Sequence, residues 1–181
     1  IVHGSAQSDA DTGWLSSAGH IDCQIAAGSL PGHFRRKWPD FPLHDGYLRA
    51  DPARTANWRE RLAGLGTGLR IGIAWRGGAV STRRELRSTR LEQWQPLLQQ
   101  ENCCFVSLQY GDGKAEAAAL TAERGHAVHC WQEAIDDLDE TAALISALDL
   151  VVSVQTATVH LAGALGKPVW VLVPAVPEWR Y

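Results

Sequence analysis

The chain has 181 residues, 45% hydrophobic and 20% charged, a balance that excludes disordered, collagenous and coiled-coil classes and allows one large domain, or one domain with part of another, to bury a core. Its formal net charge of −3 argues against a surface built to neutralise nucleic-acid phosphates, so no nucleic-acid partner is expected. No run reaches the roughly 18 apolar residues of a membrane span, and the first residues lack the basic flank and apolar stretch of an export signal. A cytoplasmic protein is therefore expected.

The four cysteines, Cys23, Cys103, Cys104 and Cys130, show no CxxC spacing. Cys103 and Cys104 are adjacent on a predicted strand and would face opposite ways, which favours reduced thiols. The sequence contains no methionine and reads as a piece of a longer protein.

Residues 1–50 are rich in Gly, Pro, Ser and His and poor in periodic pattern, with one strand-like run over 20–27. They read as the remnant of a preceding domain and a linker. From residue 51 the pattern changes. Asp51 and Pro52 form an N-cap followed by proline at the first helical position, and Trp58, Leu62 and Leu65 follow at helical spacing. Strand and helix patterns then alternate: strands over 69–75, 103–108, 127–130, 150–154 and 169–173, helices over 91–99, 114–124, 140–148 and 157–165. The run Leu150-Val151-Val152-Ser153-Val154 is apolar nearly throughout, as expected of a strand covered on both faces. The prediction for residues 51–181 is a doubly wound α/β domain with a mainly parallel five-stranded sheet, and ligands should bind at the carboxyl ends of its strands.

Four segments fall at that edge. Arg76, Gly77 and Gly78 follow the first strand, where paired glycines bring backbone amides close to a ligand or simply make a turn. Four arginines (Arg83, Arg84, Arg87 and Arg90) lie within eight residues, either a phosphate-binding set or a solvated basic loop. Gln109 and Tyr110 follow the second strand, placed to line a nucleotide pocket, unless Gly111 and Asp112 merely cap the next helix. The last segment is strand, tight turn and helix. Thr156 and Ala157 open the helix, whose first amides favour an anion. His160 lies one turn on, either a neutral hydrogen-bond donor beside that anion or a buried structural residue.

Two acidic or imidazole groupings suggest metal only superficially. Asp136, Asp137, Asp139 and Glu140 are explained by Asp137 or Asp139 as a helix N-cap, and His126, His129 and Cys130 do not converge on a strand. No metal and no cofactor are expected.

The blocks GIAWRGG, the Arg-Ser pair ahead of a helix carrying Trp94, FVSLQYGD, the run over 137–174 containing VVSVQTATVHLAGALGKPVW, and PEWRY together resemble the carboxy-terminal portion of bacterial tetratricopeptide-repeat glycosyltransferases. These are relatives of heptosyltransferases and, more distantly, of O-linked N-acetylglucosamine transferases. The resemblance runs over about residues 30–181. It implies the nucleotide-sugar-binding half of a GT-B fold, truncated at its C-terminus, with a nucleotide-diphosphate sugar as substrate and a protein or glycan as acceptor. By the same resemblance Arg87 lies near the donor diphosphate, Thr156, Ala157 and the following amides cradle phosphate with His160 close by, and the general base comes from a missing N-terminal domain. The fragment should then transfer no sugar alone. Many relatives carry an aspartate before the Thr-Ala pair where this chain has Gln155, which leaves a rival reading: an interaction domain that keeps the fold without binding a donor. A dinucleotide oxidoreductase is disfavoured because no GxGxxG follows the first strand.

Overall fold

The computed structural model describes residues 19–43, 45–77, 84–125 and 127–177. Gly78 and His126, both singled out in the sequence, lie outside the described residues. The chain divides into two units, Ile1–Leu43 and His44–Tyr181.

In the first unit, the strand-like run over 20–27 forms no strand; the backbone is irregular there and enters a 3₁₀ turn at Ala27–Ser29. A lone strand leaves its amides without partners, and no neighbouring strand is present among the described residues of this unit to supply them. Helix α1 (Pro31–Phe34) and a 3₁₀ turn at Trp38–Asp40 follow, the latter closed by Asp40, whose Oδ2 accepts from the backbone amides of Arg36 and Lys37 at 3.0 and 2.9 Å.

The second unit begins its regular structure with α2 (Pro52–Ala63), capped by Asp51, which accepts from the amides of Ala53 and Arg54. There follow β1 (Leu69–Ala74), 3₁₀ turns at Arg84–Arg87 and Leu91–Trp94, α3 (Gln95–Leu98) and β2 (Cys103–Ser107). Helix α4 (Gly113–Arg124) leads to β3 (Val128–His129), then α5 (Gln132–Asp136) and α6 (Leu138–Ala147) lead to β4 (Leu150–Val154), and α7 (Ala157–Ala164) leads to β5 (Val169–Leu172). The helix expected over 91–99 is split because Pro96 has no amide to donate to Glu92, so a 3₁₀ turn gives way to a single α turn. Asp137 caps α6, accepting from the amides of Asp139 and Glu140.

All pairings are parallel, in the order β3-β2-β1-β4-β5. Period-2 alternation sorts the strands between two cores. Ala74, Val106, Leu108 and Val151 meet Trp58 and Leu62 of α2, Leu144 of α6 and Ala162 of α7 on one face. On the other, Ile71, Ile73, Trp75, Phe105, Val152 and Val154 meet Leu91, Trp94 and Leu98, with Ala117 and Leu120 of α4. Burial on both faces explains why β4 is apolar almost throughout. The order reverses between β1 and β4, the two strands that both start from the middle of the sheet. Such a reversal splays the crossovers apart and opens a crevice at the carboxyl ends of those strands.

Candidate functional site

A cavity of about 380 Å³ lies at that reversal. Its walls come from the ends of three strands: Arg76 and Gly77 after β1, Gln109 to Asp112 after β2, and Thr156 to Thr158 at the start of α7, with Arg84 joining from the 3₁₀ turn Arg84–Arg87.

The wall after β1 is fixed before any ligand arrives. The Oε1 of Gln109, 8% exposed, accepts from the amides of Trp75 and Arg76 at 3.0 and 2.8 Å, while its Nε2 donates to the carbonyls of Arg76 and Tyr110 at 3.2 and 3.0 Å. Gly113 makes room for this side chain, since a Cβ there would sit 2.7 Å from Gln109 Cγ. From the opposite side, the amide and hydroxyl of Thr89 both donate to the Trp75 carbonyl at 2.8 and 2.9 Å, and Trp94 Nε1 donates to that hydroxyl at 2.7 Å. Ser88 ties the two arginine-bearing segments together: its hydroxyl donates to the Arg84 carbonyl at 2.6 Å and accepts from the Gly77 amide at 3.2 Å. Gly77 itself admits no side chain, because a Cβ would lie 2.7 Å from the Gln155 carbonyl.

The neighbouring wall is a helix start without a side-chain cap. Thr156 occupies the N-cap position of α7 but makes no capping bond; its hydroxyl is engaged with that of Ser153 at 3.0 Å. The first-turn amides of Ala157 and Thr158 therefore have no side-chain acceptor from the cap residue, and the helix dipole adds a partial positive charge at the same point. Arg76, Arg84 and a helix N-terminus around one cavity suit an anion with several oxygens. At the far lip stand Tyr110, 49% exposed, and Asp112, which holds the N-cap position of α4 without a side-chain capping bond.

Of the residues expected at the site, Arg76, Gly77, Gln109, Tyr110, Thr156 and Ala157 line the cavity. Gln109 does so in a different role from the one expected, because both ends of its amide are committed to backbone groups. Arg87 and His160 do not line it. His160 is exposed on α7, which sets aside the buried structural reading. Ser88 and Thr158 are not among the residues expected at the site, whereas Arg84 belongs to the arginine set weighed as phosphate-binding. Arg84 sat in the arginine cluster, but nothing in the spacing distinguishes it from Arg87. Gln155, by contrast, is 3% exposed, does not line the cavity, and has no partner for either polar atom of its amide among the described residues.

Beyond the cavity, no group of three His, Cys, Asp or Glu side chains among the described residues is placed to hold a metal ion. All four cysteines are free, and burial pushes the thiols of Cys104 and Cys130 up from their ordinary range. No helix among the described residues is long and apolar enough to cross a membrane.

The strand order and the polar crevice at its reversal define a doubly wound α/β domain with an anion-suited site at the carboxyl edge of its sheet. Residues 96–172, from α3 through β5, match the profile of Glycosyltransferase family 9 (heptosyltransferase). The chain is 36% identical over 166 residues to Protein FlbA of Caulobacter vibrioides, an alignment that covers 90% of this chain and 28% of that protein. The chain thus spans little more than a quarter of this curated relative. The solved structure of E. coli ADP-heptose lps heptosyltransferase II superposes with a TM-score of 0.54 at 19% identity, covering 77% of this chain and 43% of that one, a likeness of fold.

Proposed function

We propose that this chain is the donor-binding domain of a glycosyltransferase, holding a nucleotide-diphosphate sugar with its diphosphate between Arg76, Arg84 and the first amides of α7. The observation that carries the reading is the cavity itself, lined by two arginines and a helix start at the strand reversal, in a chain that matches a glycosyltransferase family over residues 96–172. Donors held in advance at the leaving diphosphate stabilise the charge that develops there without reorganisation. In this reading Tyr110 and Asp112, which also line the cavity, meet the nucleoside.

In this reading the acceptor, a protein or glycan, and the general base belong to another domain of the same protein, related to the tetratricopeptide-repeat transferases. The chain alone transfers no sugar, requires no cofactor or metal, and works in the cytoplasm. The second reading, an interaction domain without donor binding, rests on the resemblance alone: Gln155 stands where many of the resembling enzymes carry an aspartate, and its buried side chain does not line the cavity.

Calorimetric titration of the chain with a panel of nucleoside diphosphates separates the two. Saturable binding with a preference for one base supports the donor site. Absence of binding to every member, with the chain folded, favours the interaction domain.

A further inference from the structure

We propose that Glu116 is a positioning residue whose carboxylate aims the Arg76 guanidinium into the cavity. The inference rests on the diphosphate reading above and adds a residue that does not line the cavity. Trp75 directly follows β1 and is fully buried, and its indole Nε1 donates to Oε2 of Glu116 on α4. The other carboxylate oxygen, Oε1, accepts from Arg76 Nη1 at 3.2 Å. An immobile indole thus fixes the carboxylate, and the carboxylate fixes one corner of the guanidinium. The backbone of Arg76 is already clamped by Gln109. With the peptide and Nη1 both held, the side chain is tethered at its two ends, and Glu116 engages neither Nη2 nor Nε.

The residue type follows from the partners. Both the indole and the guanidinium are donors without acceptor capacity, and a carboxylate offers each of them an oxygen. An amide offers one oxygen and one NH₂ group, so in either orientation one donor faces another donor. Glutamine at 116 has the right shape and cannot make both bonds. Glu116 and Arg76 are about 32% and 29% exposed, so solvent screens much of the charge attraction while the geometry of the bond persists.

Glu116 also brings a negative charge near an anion site. If charge repulsion dominated, its removal would tighten anion binding; if positioning dominates, removal loosens it. The sign separates the two.

The test is calorimetric titration of the chain with ADP and UDP for the parent, Glu116→Gln, Glu116→Ala, Arg76→Ala and the double variant Arg76→Ala/Glu116→Ala. Glu116→Gln should weaken binding by about 5-fold to 10-fold, and Glu116→Ala should change it by less than about twofold once Arg76 is gone. Tighter binding by Glu116→Gln, or an undiminished loss in the Arg76→Ala background, overturns the proposal; the latter would mean that Glu116 only supports Trp75. A melting temperature for each variant shows whether Glu116→Ala disturbs the fold, and the isosteric Gln variant decides the matter if it does. If the parent binds neither ADP nor UDP while other nucleoside diphosphates do bind, the same series is run with the one that binds. If none binds, the diphosphate reading falls and the role of Glu116 falls with it.

Discussion

The side-chain amide of Gln109 and the main chain of Arg76 are bonded at both ends, Oε1 to the Arg76 amide at 2.8 Å and Nε2 to the Arg76 carbonyl at 3.2 Å. One side chain at the end of β2 thereby does for the end of β1 what a further rung of sheet would do, beyond the last strand pairing. The cavity wall gains the rigidity of the sheet without being part of it.

Gln109→Ala should therefore destabilise the domain by about 2–4 kcal/mol, since it leaves the buried amide of Trp75 and the half-buried amide of Arg76 without this acceptor and opens a gap beside Gly113. Gln109→Glu should be nearly as costly, because the Arg76 and Tyr110 carbonyls lose their donor. Urea unfolding of the three proteins measures this directly. A loss below about 0.5 kcal/mol in Gln109→Ala would show that the loop holds its shape without the clamp.

Arg84 lines the cavity and Arg87, three residues on, does not. Diphosphate binding should weaken by about 10-fold to 100-fold in Arg84→Ala, as expected when a charge-assisted hydrogen bond is removed. Arg87→Ala and His160→Ala should each change it by less than about threefold, because charges outside contact are screened. Titration at two salt concentrations tests the assignment. Equal losses at Arg84 and Arg87 would mean that the ligand lies further along the arginine loop than the cavity indicates.

Neither polar atom of the Gln155 amide has a partner among the described residues, although the residue is 3% exposed. A buried amide without partners costs free energy that an apolar side chain of similar length does not. Gln155→Met should raise stability by about 1–3 kcal/mol and leave diphosphate affinity unchanged. Chemical denaturation with a parallel titration checks both. A destabilised variant would reveal a partner for the amide.

Acid should loosen the contact between α2 and the helices after β3. Asp137 titrates below the usual carboxylate range, chiefly because the amides of Glu140 and Asp139 donate to it and then because Arg54 does, and Glu133 is lowered mainly by its hydrogen bond from Arg61. A carboxyl whose pKa is depressed by folding is protonated first in the unfolded chain. Its contribution is complete above about pH 5 and is lost as the pH falls below about 4. Melting temperatures from pH 7 to pH 3 should decline in that window, and Asp137→Asn should show a shallower decline. An unchanged slope in the variant would place the acid sensitivity elsewhere.

Local rules and periodicity carried most of the architecture. Asp51 and Pro52 start a helix because a carboxylate can accept the orphan amides and proline lacks one to orphan; β4 is readable because a strand covered on both faces must be apolar throughout. The same rules located the loops at the strand ends, and with them Arg76, Gly77, Tyr110, Thr156 and Ala157. What tertiary structure decided is which groups are spent internally and which face the cavity. Gln109 is consumed by a peptide 33 residues away, Glu116 by Trp75 and Arg76, and the Gln155 amide is buried without a partner among the described residues, none of which any local pattern encodes. The choice between Arg84 and Arg87 depends on how a 3₁₀ turn is tied through Ser88 to Gly77, a contact across 11 residues. Periodicity reports which face of an element is apolar; the direction of a polar side chain at the end of a strand is set by partners brought together only when the sheet closes.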